Sequence, residues 1–162
     1  MSQGTEARRA ELIEGILDRA RWRLGETSLP GIEAFLKHYF ARVPLADVEG
    51  ETPDALFGLA YSHFRLAAQR AAGQAKLRCY DPNVDEDGWR SEHSVLQVIT
   101  DDTPFLVDSV AADLGARDLA IHRIIHPIFD AVRDDGGQWR SLAGADEEPG
   151  GMPESFMHFE FT

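Results

Sequence analysis

The chain has 162 residues, 43% hydrophobic and 27% charged, the balance of a water-soluble globular protein long enough to bury a core. Sixteen Lys and Arg against 28 Asp and Glu give a net charge of −12; that field repels a phosphate backbone, and no basic stripe with interleaved aromatics relieves it, so nucleic acid is not an expected partner. No apolar run approaches the ~20 residues a membrane helix needs, residues 1–14 carry no signal-peptide core, and the lone Cys79 allows no internal disulfide, so the expected compartment is the cytoplasm.

Residues 6–24 read as a helix, with Leu12, Ile13, Ile16, Leu17, Ala20 and Leu24 on one face. Residues 25–30 break it, and 31–43 give a second helix with the stripe Ile32, Phe35, Leu36, Tyr39, Phe40 and Val43. A connector over 44–51 has room for a helical turn near Leu45. Thr52-Pro53-Asp54 then supplies a capping hydroxyl, a proline for the first helical position and an acid at the positive end of the dipole. The third helix is expected to reach residue 72, with Gly73 as its stop. Residues 1–73 thus form a helical subdomain, whose third helix has the alternative of packing on whatever follows.

Composition changes after Gly73. Residues 76–80 alternate as a short strand, and 81–91 form an acidic loop. A β-rich run, 94–100, leads into Asp101, Asp102 and Thr103, three side chains able to cap a helix opening at Pro104. Val107, Val110, Ala111 and Leu114 give that helix one apolar face. A second β-rich run, 119–132, follows, with Pro127 expected to place a bulge or an edge within it. Asp134-Asp135-Gly136-Gly137 is turn chemistry, 138–142 is the returning arm of a hairpin, and 143–153 is a polar Gly/Pro loop. Residues 154–161 close the chain as a strand, with Met157, Phe159 and Phe161 on one face and Phe156, His158 and Glu160 on the other. The fold class is therefore α+β, a helical part over 1–73 and a sheet with one packed helix over 74–162.

Candidate chemistry is sparse. Residues 83–88 imitate the first half of a calcium-binding EF-hand loop, yet the twelfth loop position is Ser94 and the flanks read as strands, so a solvated acidic turn is the expected structure. His122 and His126 lie four residues apart on a strand, about 13 Å and too far for one ion. Ser109 sits inside a helix with no histidine beside it, and Cys79 has only Arg78 nearby to activate it. No G-x-G-x-x-G occurs, so no Rossmann nicotinamide site is expected here. Neither a catalytic residue nor a metal ligand emerges from these patterns.

The strand–turn–helix written TDDTPFLVDSV resembles the first half of an ACT domain, a small βαββαβ module that binds amino acids or joins subunits in metabolic enzymes. Together with YFARVP at 39–44, AKLRCYDPNVDEDGW at 75–89, IHRIIHPIF at 121–129 and ESFMHFEF at 154–161, it resembles the N-terminal region of the large bacterial NAD-specific glutamate dehydrogenases. That resemblance implies an incomplete ACT-like (ferredoxin-like) antiparallel sheet and a much longer parent chain. In such a parent, NAD and the catalytic residues lie elsewhere, and the partners are the rest of the chain and other subunits of a homo-oligomer. It also implies an amino-acid effector site on the turn, at Asp101, Asp102, Thr103 and Phe105. Amino-acid-binding ACT turns usually carry glycine; here Pro104 removes a backbone donor, Phe105 adds bulk and two acids repel a carboxylate, which favours a structural or assembly role. With the ACT fourth strand absent from the pattern, residues 76–80 are expected to pair as a substitute at the edge of 94–100.

Overall fold

Three helices form where the apolar stripes placed them: α1 (Gln3–Leu24), α2 (Leu29–Phe40) and α3 (Pro53–Ala67), with a 3-10 turn at Leu45–Asp47 between the last two. The structure, a computed structural model, describes residues 3–25, 29–144 and 151–162; part of the break expected at 25–30 and most of the loop expected at 143–153 lie outside them. Thr52 caps α3 as its chemistry required, Oγ1 accepting the Ala55 N–H at 3.2 Å with Pro53 in the first turn. The helix ends at Ala67 rather than running to the glycine. Backbone pairing with the later hairpin takes over at this point: Trp139 donates to the Ala68 carbonyl at 3.2 Å, and the Arg70 N–H donates to Gly137 at 3.0 Å.

Six strands follow: β1 (Lys76–Tyr80), β2 (Ser94–Asp101), β3 (Ile121–Ile125), β4 (Ile128–Arg133), β5 (Trp139–Gly144) and β6 (Met152–Phe161). They make one antiparallel sheet in the order β1-β2-β6-β4-β5. β3 and β4 lie in tandem along one edge of the long β6, because His126 and Pro127 interrupt what is otherwise a single run. β1 pairs with β2 from Lys76↔Ile99 to Tyr80↔Val95, so the substitute strand does occupy the edge beside the first ACT-like strand. A four-residue helix, α4 (Val84–Asp87), fills the acidic loop, capped by the Asn83 side chain; the Asp87 carboxylate accepts the Asn83 N–H and pairs with Arg78.

The helix after β2, α5 (Leu106–Ala116), starts later than Pro104, and the expected caps are not used. Phe105 stands at the cap position with φ 66°, in the left-handed region, and gives no side-chain cap bond. Asp101 ends β2 and reaches Arg70 instead, while the Asp102 N–H donates to the Pro153 carbonyl at 3.1 Å.

The central strands of the sheet are covered on both faces. The first core joins Ile16, Phe35, Leu36, Tyr39 and Phe57 of the helices to Val95, Ile99, Phe129 and Phe156 of the strands. The second places Leu114 of α5 on Val98, Met157, Phe159 and Phe161. β6 is thus buried on both sides from Glu154 to Phe161. The loop before β2 is pressed into the helical layer at Trp89, against Gly58 of α3; a Cβ on Gly58 would lie 2.4 Å from the Trp89 Cβ, so only glycine fits.

Candidate functional site

Alternation along β6 sends Glu154, Phe156, His158 and Glu160 under the helices, and each polar side chain there needs a partner because water is excluded. Gln97 of β2 opposes His158 in the pairing register. Its amide donates to the Leu59 carbonyl and to His158 Nδ1, both at 3.0 Å, and its oxygen accepts from the Tyr80 hydroxyl at 3.3 Å. His158 is thereby left to donate from Nε2 to Glu160, 3.2 Å away. Arg123 of β3, directly opposite Glu160 in register, donates Nε to the same carboxylate, and Ser91 donates to its other oxygen at 3.0 Å. Burial alone would raise the Glu160 carboxyl; hydrogen bonds from His158 and Arg123 instead hold it down to about 2.

A parallel arrangement stands beside it. His63 Nε2 faces the Val98 carbonyl at 3.0 Å and therefore donates, so Nδ1 is bare and accepts from the Tyr39 hydroxyl at 2.8 Å. Burial and the nearby His158 push His63 down to about 3. At the other end of β6, Glu154 accepts from Arg133 at 2.8 and 2.9 Å and pairs with Arg70 at 3.1 Å. Arg70 and Arg133 also donate to the carbonyls of Gln74, Gly137 and Ala67, tying the end of α3 to the hairpin and to β6.

Arg123 and Glu160 form part of the floor of a surface groove of about 1040 Å³ between α1, the start of α3, the 84–93 segment and β3. Its walls carry Arg19 paired with Asp54 at 2.5 Å and stacked over Trp22, and Arg23 bonded to the Gly88 carbonyl. The rings of His93 and His122 stack with centroids 4.0 Å apart. Chemically this part of the wall is ion-paired: the Glu160 oxygens are taken, and its low pKa makes it a weak base. Among the described residues no cluster of three His, Cys, Asp or Glu converges on a point where an ion could sit.

The turn read from the sequence lies elsewhere. Asp101, Asp102, Thr103 and Phe105 are all exposed, Phe105 at 77%, and only Asp101 is drawn into a cluster, through Arg70 at 2.7 Å. His126 bonds to the Ser155 hydroxyl and His122 to that of Thr162, two separate polar contacts. What sequence reasoning missed is the buried row His63, Gln97, His158 and Glu160, closed by the partly buried Arg123. The signal was present: Phe156 shares a face with His158 and Glu160, and three apolar helix stripes upstream had no stated partner.

A sequence profile described as "Glutamate dehydrogenase, ACT1 domain" matches residues 35–162. The chain belongs to this family. Among curated proteins, the chain is 30% identical over 142 residues to the NAD-specific glutamate dehydrogenase of Halomonas elongata and 28% identical over 138 residues to that of Pseudomonas aeruginosa. These alignments take in 88% and 85% of the chain but 9% and 8% of the relatives, so it spans about a tenth of their length or less. No solved structure matches it. The ACT1 match begins within α2 and takes in α3, the whole sheet and α5.

Proposed function

We propose that this chain is a non-catalytic assembly and regulatory region of an NAD-dependent glutamate dehydrogenase. Such a parent oxidatively deaminates L-glutamate to 2-oxoglutarate and ammonia in the cytoplasm, with NAD and the reacting groups held in other parts of a homo-oligomeric enzyme. The ACT1 match over 35–162, in a chain spanning 9% and 8% of two NAD-specific relatives, carries this reading. The chemistry of the groove supports it: its buried acid is consumed by ion pairing. On this reading the helical part over 1–73 and the ACT-like part over 74–162 act together, because Arg123 pairs with Glu51 and Glu154 with Arg70 across them.

The test separates activity from assembly. The 162-residue chain is expected to reduce no NAD with glutamate, and removing it from the longer enzyme is expected to alter subunit association. Turnover by the purified chain alone refutes the proposal.

A second reading, a free-standing amino-acid sensor, is favoured by one observation: Phe105 spends a left-handed conformation on a fully accessible turn. Calorimetric titration with glutamate and other amino acids decides it. We expect no saturable heat; binding tighter than about 1 mM, roughly 4 kcal/mol, establishes sensing at Asp101, Asp102, Thr103 and Phe105.

A further inference from the structure

The groove over Arg123 has a second end that ion pairing does not close. Trp22 of α1 is 74% exposed and Val84 of α4 is 61% exposed, and both line it. An indole turned to solvent beside an aliphatic side chain suits a binding surface, because covering it buries a large area at little cost in side-chain freedom. Both stand on fixed supports. Arg19 stacks over the Trp22 ring at 4.5 Å and is itself held by Asp54, and the Asn83 side chain caps the short helix that carries Val84.

The arginines lining the groove are of two kinds. Arg19 and Arg123 face carboxylates, those of Asp54 and of Glu51 and Glu160. Arg23 and Arg90 are exposed and, among the described residues, have no ion-pair partner. Arg23 donates one N–H to the Gly88 carbonyl at 3.1 Å and lies 5.5 Å over the Phe57 ring, so its guanidinium is held in place. The Gly88 N–H in turn donates to the Val84 carbonyl, and Arg90 follows two residues later. The free cations and the exposed apolar side chains therefore share one end. The remaining acids of the wall lie toward the other: the Asp47 carbonyl accepts from Arg123, and Glu92 adjoins His93. In a chain of net charge −12, arginines without a counter-charge beside an exposed tryptophan suit an acidic occupant. α1 lies ahead of the matched residues 35–162, so this wall is not made by the ACT-like sheet and α5.

We propose that this end of the groove seats an acidic segment of the parent polypeptide lying outside residues 1–162. Its carboxylate meets Arg23 and Arg90, and an apolar side chain beside it covers Trp22 and Val84. The proposal rests on the chain being a region of a longer glutamate dehydrogenase, whose relatives have about ten times its length from which to supply the segment. A second copy of this chain fits poorly, since each carries a net charge of −12 and two such bodies repel on approach. A small free anion would satisfy the two arginines but leave Trp22 and Val84 in water, so their exposure points to a polypeptide.

Photo-crosslinking identifies the occupant. In the full-length enzyme Val84 is replaced by p-benzoylphenylalanine, and after irradiation the joined peptides are sequenced by mass spectrometry. The expected crosslink runs to a peptide outside residues 1–162 that carries Asp or Glu. Arg90→Glu should cut its yield about tenfold by setting like charges against each other, and Trp22→Ser about tenfold by removing the apolar anchor. Both side chains are exposed, so each variant keeps the fold. Crosslinks confined to residues 1–162, of the same or a second copy, overturn the proposal. So does the absence of any crosslink, or a yield that Arg90→Glu leaves unchanged. Glutamate-dependent NAD reduction is measured on the same enzyme with Val84 in place. The expected crosslink without that activity supports the docked segment and refutes only the enzyme assignment; activity without the crosslink does the reverse.

Discussion

The buried His63 makes the fold acid-sensitive well above the range where carboxylates titrate. Its ring is 0% exposed, donates from Nε2 to Val98 and accepts at Nδ1 from Tyr39, and the His158 ring adds to the cost of protonating it. Its pKa is about 3 in the fold and near 6.5 in the unfolded chain, so the unfolded state binds the extra proton between those values. The stabilisation is complete above pH 6.5 and is lost as pH falls toward 3. From pH 7.5 to pH 5 the loss from this residue is about 2 kcal/mol. His158, also lowered by burial, adds in the same direction. Urea unfolding followed by tryptophan fluorescence at pH 7.5, 6 and 5 measures it, since Trp89 is buried in the fold. His63→Gln keeps a donor for Val98 and an acceptor for Tyr39 but cannot titrate, so its pH slope should be shallower by about 2 kcal/mol over that interval. An equal slope in variant and parent chain would refute the assignment of His63 as the buried neutral base.

Three further substitutions probe the packing. Arg123→Met strands the Glu160 carboxylate, 2% exposed on its side chain, and should cost about 3–5 kcal/mol in denaturant unfolding; Arg123→Met with Glu160→Leu should recover much of that, and no recovery would argue against pairing. Gly58→Ala gains about 1 kcal/mol of helix propensity, but the new methyl meets Trp89 at 2.4 Å, so the net effect should be destabilising by about 1–3 kcal/mol, and a raised Tm would contradict the contact. Phe105→Gly removes a side chain that is 77% exposed from a residue at φ 66°, and should raise stability by up to about 1 kcal/mol; a loss would mean the ring is held by the fold.

Local chemistry made most elements legible. The Thr52-Pro53 start, the strand at 76–80 with its place beside 94–100 and the break at Pro127 follow from capping, alternation and the missing proline N–H. The ends of elements were set by tertiary partners that spacing cannot show. α3 stops at Ala67 because residues 68–70 pair with the hairpin, a contact across about seventy positions of sequence. Asp101 and Asp102 had the right side chains to cap α5, but Arg70 and the Pro153 carbonyl claimed Asp101 and the Asp102 backbone first.

The candidate site was least legible because its charges are buried. Alternation put Phe156, His158 and Glu160 on one face correctly, and the ordinary inference from two polar residues in three is a wet face. Phe156 contradicts that inference: it is 0% exposed and packs on Phe35, Phe129 and His63. Once the helices cover Phe156, His158 and Glu160 are enclosed with it, and an enclosed carboxylate needs a cation. Arg123 is the residue opposite in the pairing register, so the ion pair follows from register and coverage together. Neither is present in spacing alone. β1 shows register without coverage: Lys76 and Arg78 lie on the helix-facing side yet stay solvated, while Leu77 on the opposite side is 59% exposed.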